Sequence, residues 1–147
     1  MRVRSVETRD RDEWLRQRCA LWPGSKRDHA EEIDRFFAGD LPELHEVLLV
    51  EGEDERILGF VELSIRPYAE GCATDRVGYL EGWYVEPHAR RRGVGRLLVE
   101  AAWDWARRQG CTEFASDTEV ENEMSASAHR ACGFEEAGVV RCFRKVL

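Results

Sequence analysis

No uninterrupted apolar run in the sequence is long enough to cross a bilayer, so an α-helical membrane span is excluded. The first residues, MRVRSVETRDRDEW, lack the apolar core and cleavage pattern of a secretory signal, and the expected location is the cytoplasm. There is no C-x-x-C pair. The five cysteines, Cys19, Cys72, Cys111, Cys132 and Cys142, are odd in number and scattered. They read as reduced thiols in a reducing compartment, not as a disulfide framework or a zinc site. His29, His45, His88 and His129 are equally dispersed, and no metal is expected. A basic excess is also missing. The formal charge of -7 argues against nucleic acid as the main partner and is compatible with a cationic substrate. Repeats, low-complexity segments and linkers are absent, so the 147 residues are read as one domain over 1–147.

What is present suffices for a core: 43% hydrophobic residues, five of them tryptophan. RVRSV reads as a short strand. Asp10, with Glu13 three residues on, resembles a capping box before a helix whose Leu15, Cys19 and Trp22 share a face. A second helix is expected from about Asp28 to Ala38, with Ile33, Phe36 and Phe37 as its apolar stripe. EVLLVEGEDERILGFVELSIRP predicts an antiparallel hairpin, and VGYLEGWYVEP a further strand halted by Pro87. VGRLLVEAAWDWARRQG reads as a helix ending at Gly110, and TEFASDT as a strand. NEMSASAHRACGF reads as a short helix, and EEAGVVRCFRKVL as a last strand or strand pair. The order β-α-α-β-β-β-α-β-α-β predicts an α/β chain of the α+β type, with helices flanking a mixed, mostly antiparallel central sheet.

The strongest local signal is PHARRRGVGR, a glycine turn between a strand and a helix. The first amides of a helix have no intrahelical partner, and its dipole adds positive potential there. Gly93 and Gly95 let backbone approach a ligand closely, and arginines add charge-assisted bonds to phosphate oxygens. The residues alone allow either an anion cradle or a solvated basic turn. A dinucleotide fingerprint fails because its third glycine would fall on Leu98, and no Walker loop occurs anywhere.

RRRGVG, from Arg90 to Gly95, resembles the [R/Q]-x-x-G-x-[G/A] signature of the GCN5-related N-acetyltransferase (GNAT) superfamily. The preceding strand, the following helix and the element order resemble that family too. The resemblance implies a GNAT fold and acetyl-coenzyme A as co-substrate. Its pyrophosphate would lie on Arg90, Arg91, Arg92, Gly93, Val94, Gly95 and Arg96. Asn122, Ser125 and the Gly133–Phe134 pair resemble a later segment of the family, which implies Asn122 near the pantetheine. His129 stands where the family carries the tyrosine that protonates the departing thiolate. Read from its residues, His129 is either a packed helix histidine or that acid.

YLEGWYV, CTEFASDTEVEN, AHRACGF and the Leu21–Trp22 pair are similar to aminoglycoside 6′-N-acetyltransferases of the small dimeric type. That likeness implies acetylation of the 6′-amine of aminoglycoside antibiotics, with resistance as its consequence, and a homodimer. Trp22, Tyr68, Glu81 and Asp117 would line the acceptor site, and Trp83, Tyr84 and Val85 would face the acetyl-pantetheine. A polycation needs carboxylates and flat surfaces for its rings, and Glu81 and Asp117 are unusual charges for a strand and a strand end. Either carboxylate is alternatively the partner of an internal arginine, and Trp22 is alternatively a core residue. Glu81 or Asp117 is expected to take the proton of the attacking amine. Backbone amides from Trp83 to Val85, freed by a bulge, are expected to polarise the thioester. Another amine acceptor, or an acyl-coenzyme A-binding module without turnover, would keep the cradle but not this acceptor site.

Overall fold

The computed structural model describes residues 1–147. Its strands are β1 (Arg2–Ser5), β2 (Glu46–Glu51), β3 (Ile57–Arg66), β4 (Val77–Val85) and β5 (Glu113–Ser116). Its helices are α1 (Arg11–Leu21), α2 (Lys26–Phe37), α3 (Val94–Arg108) and α4 (Glu123–Ala131). The strands form one sheet in sequence order, antiparallel from β1 to β4, and β5 runs parallel to β4 after the α3 crossover. The expected mixed, mostly antiparallel sheet with flanking helices is the architecture observed.

Alternation along β2 and β3 divides the core in two. Leu48, Val50, Val61 and Leu63 meet α3 through Leu98, Val99 and Ala102. Val47, Leu49 and Phe60 face the other way, onto Trp14, Leu15 and Ile33 of α1 and α2. The helix stripes are shifted from those expected. Trp14, Gln17 and Arg18 are buried on α1 beside Leu15, whereas Cys19 is half-buried and Trp22 lies one residue past the helix.

The Asp10–Glu13 capping box does not form. Asp10 instead accepts two bonds from Arg4 of β1, at 2.7 and 2.9 Å, and one from the Glu7 amide, while Glu13 turns to Arg16 and Gln17. A bidentate arginine nearby offers Asp10 a stronger partner than a helix-start amide. Burial pushes the Asp10 carboxyl up, but the Arg4 and Glu7 bonds outweigh it and hold it below the ordinary carboxylate range.

The expected final strand is also absent. Beyond α4 and Gly133, at φ +93°, residues 134–147 adopt no regular structure. A strand needs a partner edge for its amides and carbonyls, and EEAGVVRCFRKVL pairs with none in its own sheet.

Candidate active site

The site is organised by one irregularity in β4. Opposite β3, Glu62 pairs with Gly82 but Leu63 pairs with Leu80, so Glu81 is an extra residue, a β-bulge. The bulge reverses the alternation of the strand. Before it, Gly78 and Leu80 pack on the α3 side. After it, Trp83 and Val85 take that side, while Gly82 meets Trp22 and Tyr84 enters the α1–α2 core. Pairing with β5 ends at the same place, with Leu80 opposite Ser116. From Glu81 onward, β4 therefore has an edge with no strand against it.

On the α3 side of that edge lies the glycine turn. Pro87–Ala89 form a short 3-10 turn; Arg91 and Gly93 then take positive φ values of 60° and 82°, and α3 starts at Val94. After Arg90, whose amide donates to Pro87, the next amide that bonds to a carbonyl is that of Leu97, to Gly93. The amides from Arg91 to Arg96 donate to nothing in the chain. They form a run of free donors at a helix N-terminus, the arrangement that binds phosphate oxygens.

Arg91 and Arg92 are exposed and pair with no carboxylate; Arg90 holds the Val85 carbonyl at 3.0 Å and Arg96 the Ala131 carbonyl at 2.5 Å. Gly95 lies against Trp83, where a Cβ would come within 3.2 Å of the indole. Trp83 Nε1 is buried there without a partner. These free donors fit the expected pyrophosphate and pantetheine of acetyl-coenzyme A. The Tyr84 ring points away from this side; its hydroxyl donates to Glu86. Asn122 is exposed, and its Oδ1 caps α4 by accepting from the Ser125 amide at 3.0 Å.

His129 closes the gap between β4 and α4. Its Nδ1 donates to the Ser125 carbonyl at 2.7 Å, so Nε2 is free to accept from Ser116 Oγ at 2.8 Å. The ring meets Trp83 edge-on, with centroids 5.2 Å apart. The histidine is thus both packed and hydrogen-bonded next to the free edge of β4.

On the opposite face of the sheet is an open cavity of about 530 Å³, lined among others by Trp22, Glu32, Glu43, Glu62, Arg66 and Glu81. Trp22 therefore belongs to a cavity wall and not to the core. Arg18 organises this wall. It bonds Glu62 at 2.8 Å and Glu32 at 2.6 Å, and its guanidinium lies 5.2 Å from the Trp22 ring centroid. Glu62, only 2% exposed, also accepts from Trp14 Nε1 at 3.0 Å. Burial pushes its carboxyl up, against the pull of Arg18 and the indole. The Arg18 guanidinium is held charged by Glu62 and Glu32 in spite of burial.

Glu81 has an arginine partner, one of the two alternatives left by its residue type. Arg66 grips it with a fork at 2.8 and 2.6 Å, and Ser64 Oγ donates at 2.5 Å. The Arg66 guanidinium lies 3.6 Å from the Tyr79 ring centroid, and the Tyr79 hydroxyl donates to Asp117 at 2.5 Å. Burial and Asp117 push the Tyr79 phenol well above its ordinary range. Asp117 is thus tied to Glu81 through two side chains. Tyr68 stands apart: it is 65% exposed, bonds Glu70 and does not line the cavity.

Arg18, Glu32, Glu62 and Arg66 were not singled out from the sequence. Glu62 carried the signal used for Glu81, a charge between apolar neighbours in a strand. No group of three or more His, Cys, Asp or Glu side chains is arranged to hold a metal ion.

The sequence profile of the acetyltransferase (GNAT) family matches residues 11–134. An aminoglycoside N(6′)-acetyltransferase type 1 from Klebsiella aerogenes is 56% identical over 146 residues, covering 99% of this chain and 96% of the relative. One from Stenotrophomonas maltophilia is 39% identical over 99% of this chain and 93% of its own length. The apo crystal structure of the aminoglycoside 6′-N-acetyltransferase AAC(6′)-IG from Acinetobacter haemolyticus superposes with a TM-score of 0.92 at 35% identity, covering 100% and 99% of the two chains. The structure of AAC(6′)-Iy in complex with the bisubstrate analogue CoA-S-monomethyl-acetylneamine has a TM-score of 0.90 at 34% identity, covering 99% and 98%.

Gly82 offers a test of the cavity wall. A Cβ there would stand 2.6 Å from the Trp22 indole, which sits past the end of α1. Gly82→Ala is expected to push Trp22 out of position and raise the acceptor KM about ten-fold, as a clash of about 1–2 kcal/mol would. The KM for acetyl-coenzyme A stays unchanged in steady-state kinetics. Equal loss for both substrates would remove Trp22 from the acceptor wall.

Proposed function

The chain belongs to the acetyltransferase (GNAT) family, and from that premise we propose that it transfers the acetyl group of acetyl-coenzyme A to the 6′-amine of aminoglycoside antibiotics. It is an acetyltransferase, read as one catalytic domain over residues 1–147. One observation carries the reading. The bulged strand β4 has a run of free amides beside one face and an acidic, tryptophan-walled cavity on the other. An anionic donor and a cationic acceptor can therefore approach the same break in the sheet from opposite sides.

Arg91, Arg92 and the amides from Arg91 to Arg96 hold the pyrophosphate, and Trp83 Nε1 supplies a further donor beside Gly95. The thioester supplies the activated acyl group. Beyond Leu80, β4 has no partner on its β5 side. The Glu86 amide donates to Leu58 of β3, so by alternation Tyr84 also turns to β3. The amides of Trp83 and Val85 face the free edge and polarise the thioester oxygen. The acceptor ammonium must lose a proton before its nitrogen attacks; Glu81, or Asp117 through water, takes it. Attack is direct. Burial pushes the Cys72 and Cys132 thiols up, away from the thiolate that an acetyl-enzyme would need.

Resistance to aminoglycosides follows if this turnover occurs in the cytoplasm, where free thiols such as buried Cys111 persist. No helix is long and apolar enough to cross a membrane. The unpaired tail supports a homodimer. Val139, Val140, Phe143, Val146 and Leu147 are exposed on it, and Arg141, Arg144 and Lys145 make it basic in a chain of charge -7. A second copy offers the acidic surface and the open edge of β5 that such a tail fits.

Two measurements test these readings. Glu81→Gln and Asp117→Asn are each expected to lower kcat/KM for kanamycin or tobramycin about 100-fold in a thiol-release assay. Normal values for both would mean that the carboxylates have other roles. Removal of residues 139–147 is expected to convert a dimer into a monomer by light scattering. A full-length chain that is already monomeric would refute the dimer.

A further inference from the structure

Both oxygens of Glu81 are engaged before any substrate arrives. The Arg66 fork and the Ser64 hydroxyl take three of the roughly four lone-pair directions a carboxylate offers. We propose that Arg66 is a placeholder cation: it occupies Glu81 until an ammonium of the acceptor displaces it, and it thereby makes the site select polycations over single amines. This rests on the reading of the cavity as an aminoglycoside site.

The two arginines of the cavity differ in the way this role requires. Arg18 is 8% exposed by its side chain, held between Glu62 and Glu32, and cannot leave without stranding a buried carboxylate. Arg66 is the last residue of β3, its side chain 42% exposed against 25% for Glu81. That pair is more exposed than the Arg18–Glu62 pair, so Arg66 can exchange its fork for another cation without stranding a fully buried charge.

Displacement is required because a guanidinium never deprotonates. An ammonium brought to Glu81 with Arg66 in place would meet a like charge at contact distance, in a cavity partly shielded from water. A single amine must overcome that exchange with one charge. A polycation brings further ammonium groups, and Glu43, on the same cavity and paired with no cation, is available to take one. When Arg66 leaves, the Tyr79 ring is uncovered as well, beside the already exposed Asp117 that its hydroxyl holds.

With Arg66 as a placeholder, removing a charged residue from the acceptor site improves binding. Arg66→Gln is expected to lower the KM for kanamycin about two- to five-fold, the yield of breaking an exposed ion pair. The KM for 6-amino-6-deoxyglucose, a single-amine acceptor, falls by a larger factor, and the KM for acetyl-coenzyme A is unchanged. A kanamycin KM that is unchanged or raised would mean that Arg66 orients Glu81, and overturns the proposal. Nitrogen NMR of the Arg66 side chain in the wild-type chain gives a second readout that needs no variant. On saturation with kanamycin its Nε–H is expected to lose protection from solvent exchange; retained protection overturns the proposal. Absence of wild-type turnover with any 6′-amino aminoglycoside would overturn the functional reading and this inference together, whereas normal wild-type turnover with a raised Arg66→Gln KM overturns the inference alone.

Discussion

The arrangement depends on one backbone constraint, the extra residue at Glu81 in β4. A regular strand between two neighbours has all its amides and carbonyls committed and presents alternate side chains to fixed faces. The bulge breaks both rules at one point. It puts Tyr79 and Glu81 on the cavity face before it, and Gly82 and Tyr84 on that face after it. It also coincides with the end of β5 pairing at Leu80, which frees the edge of β4 where the proposed donor and acceptor would meet. Without it, Trp83 would point into the α1–α2 core and could not reach Gly95 of the glycine turn.

Local charge, not net charge, distinguishes the two faces of the sheet. The chain carries -7 overall, yet Arg91 and Arg92 are unpaired at the head of α3, beside amides with no acceptor. Across the sheet, Glu32, Glu43, Glu62 and Glu81 share a cavity with only two arginines, one fixed and one loosely held. The fixed one, Arg18, is expensive in desolvation, and it is stabilised by placing Glu62 and Glu32 on it and Trp22 against it. On the proposed reading, the same contacts that satisfy a buried charge also set the flat wall for a sugar ring.

Much of this was legible in the sequence because it is local. The glycine turn is a strand end, a positive-φ glycine and a helix start within ten residues, and each has its own residue signature. Glu81 was visible as a charge in an apolar strand. What escaped was long-range pairing. That Arg66 holds Glu81, and Arg18 holds Glu62, depends on the β3–β4 register and on how α1 crosses the sheet, neither of which periodicity encodes. Asp10 misled for a related reason: its spacing to Glu13 imitates a capping box, but Arg4 from β1 outcompetes the helix amides. The composition of the tail is that of a strand, and composition does not say whether a partner edge is there to pair with it. The separation of Tyr68 from the cavity is likewise a matter of how the loop after β3 folds back, with Tyr68 turned to Glu70.

On the proposed reading, this broken sheet brings a coenzyme A thioester to the 6′-amine of an aminoglycoside. Thiol release from acetyl-coenzyme A in the presence of a 6′-amino aminoglycoside, set against an otherwise matched 6′-hydroxy compound, tests it most directly. Release is expected to be rapid with the amine and at background with the hydroxy compound. Equal release with both, or release with neither, would contradict it.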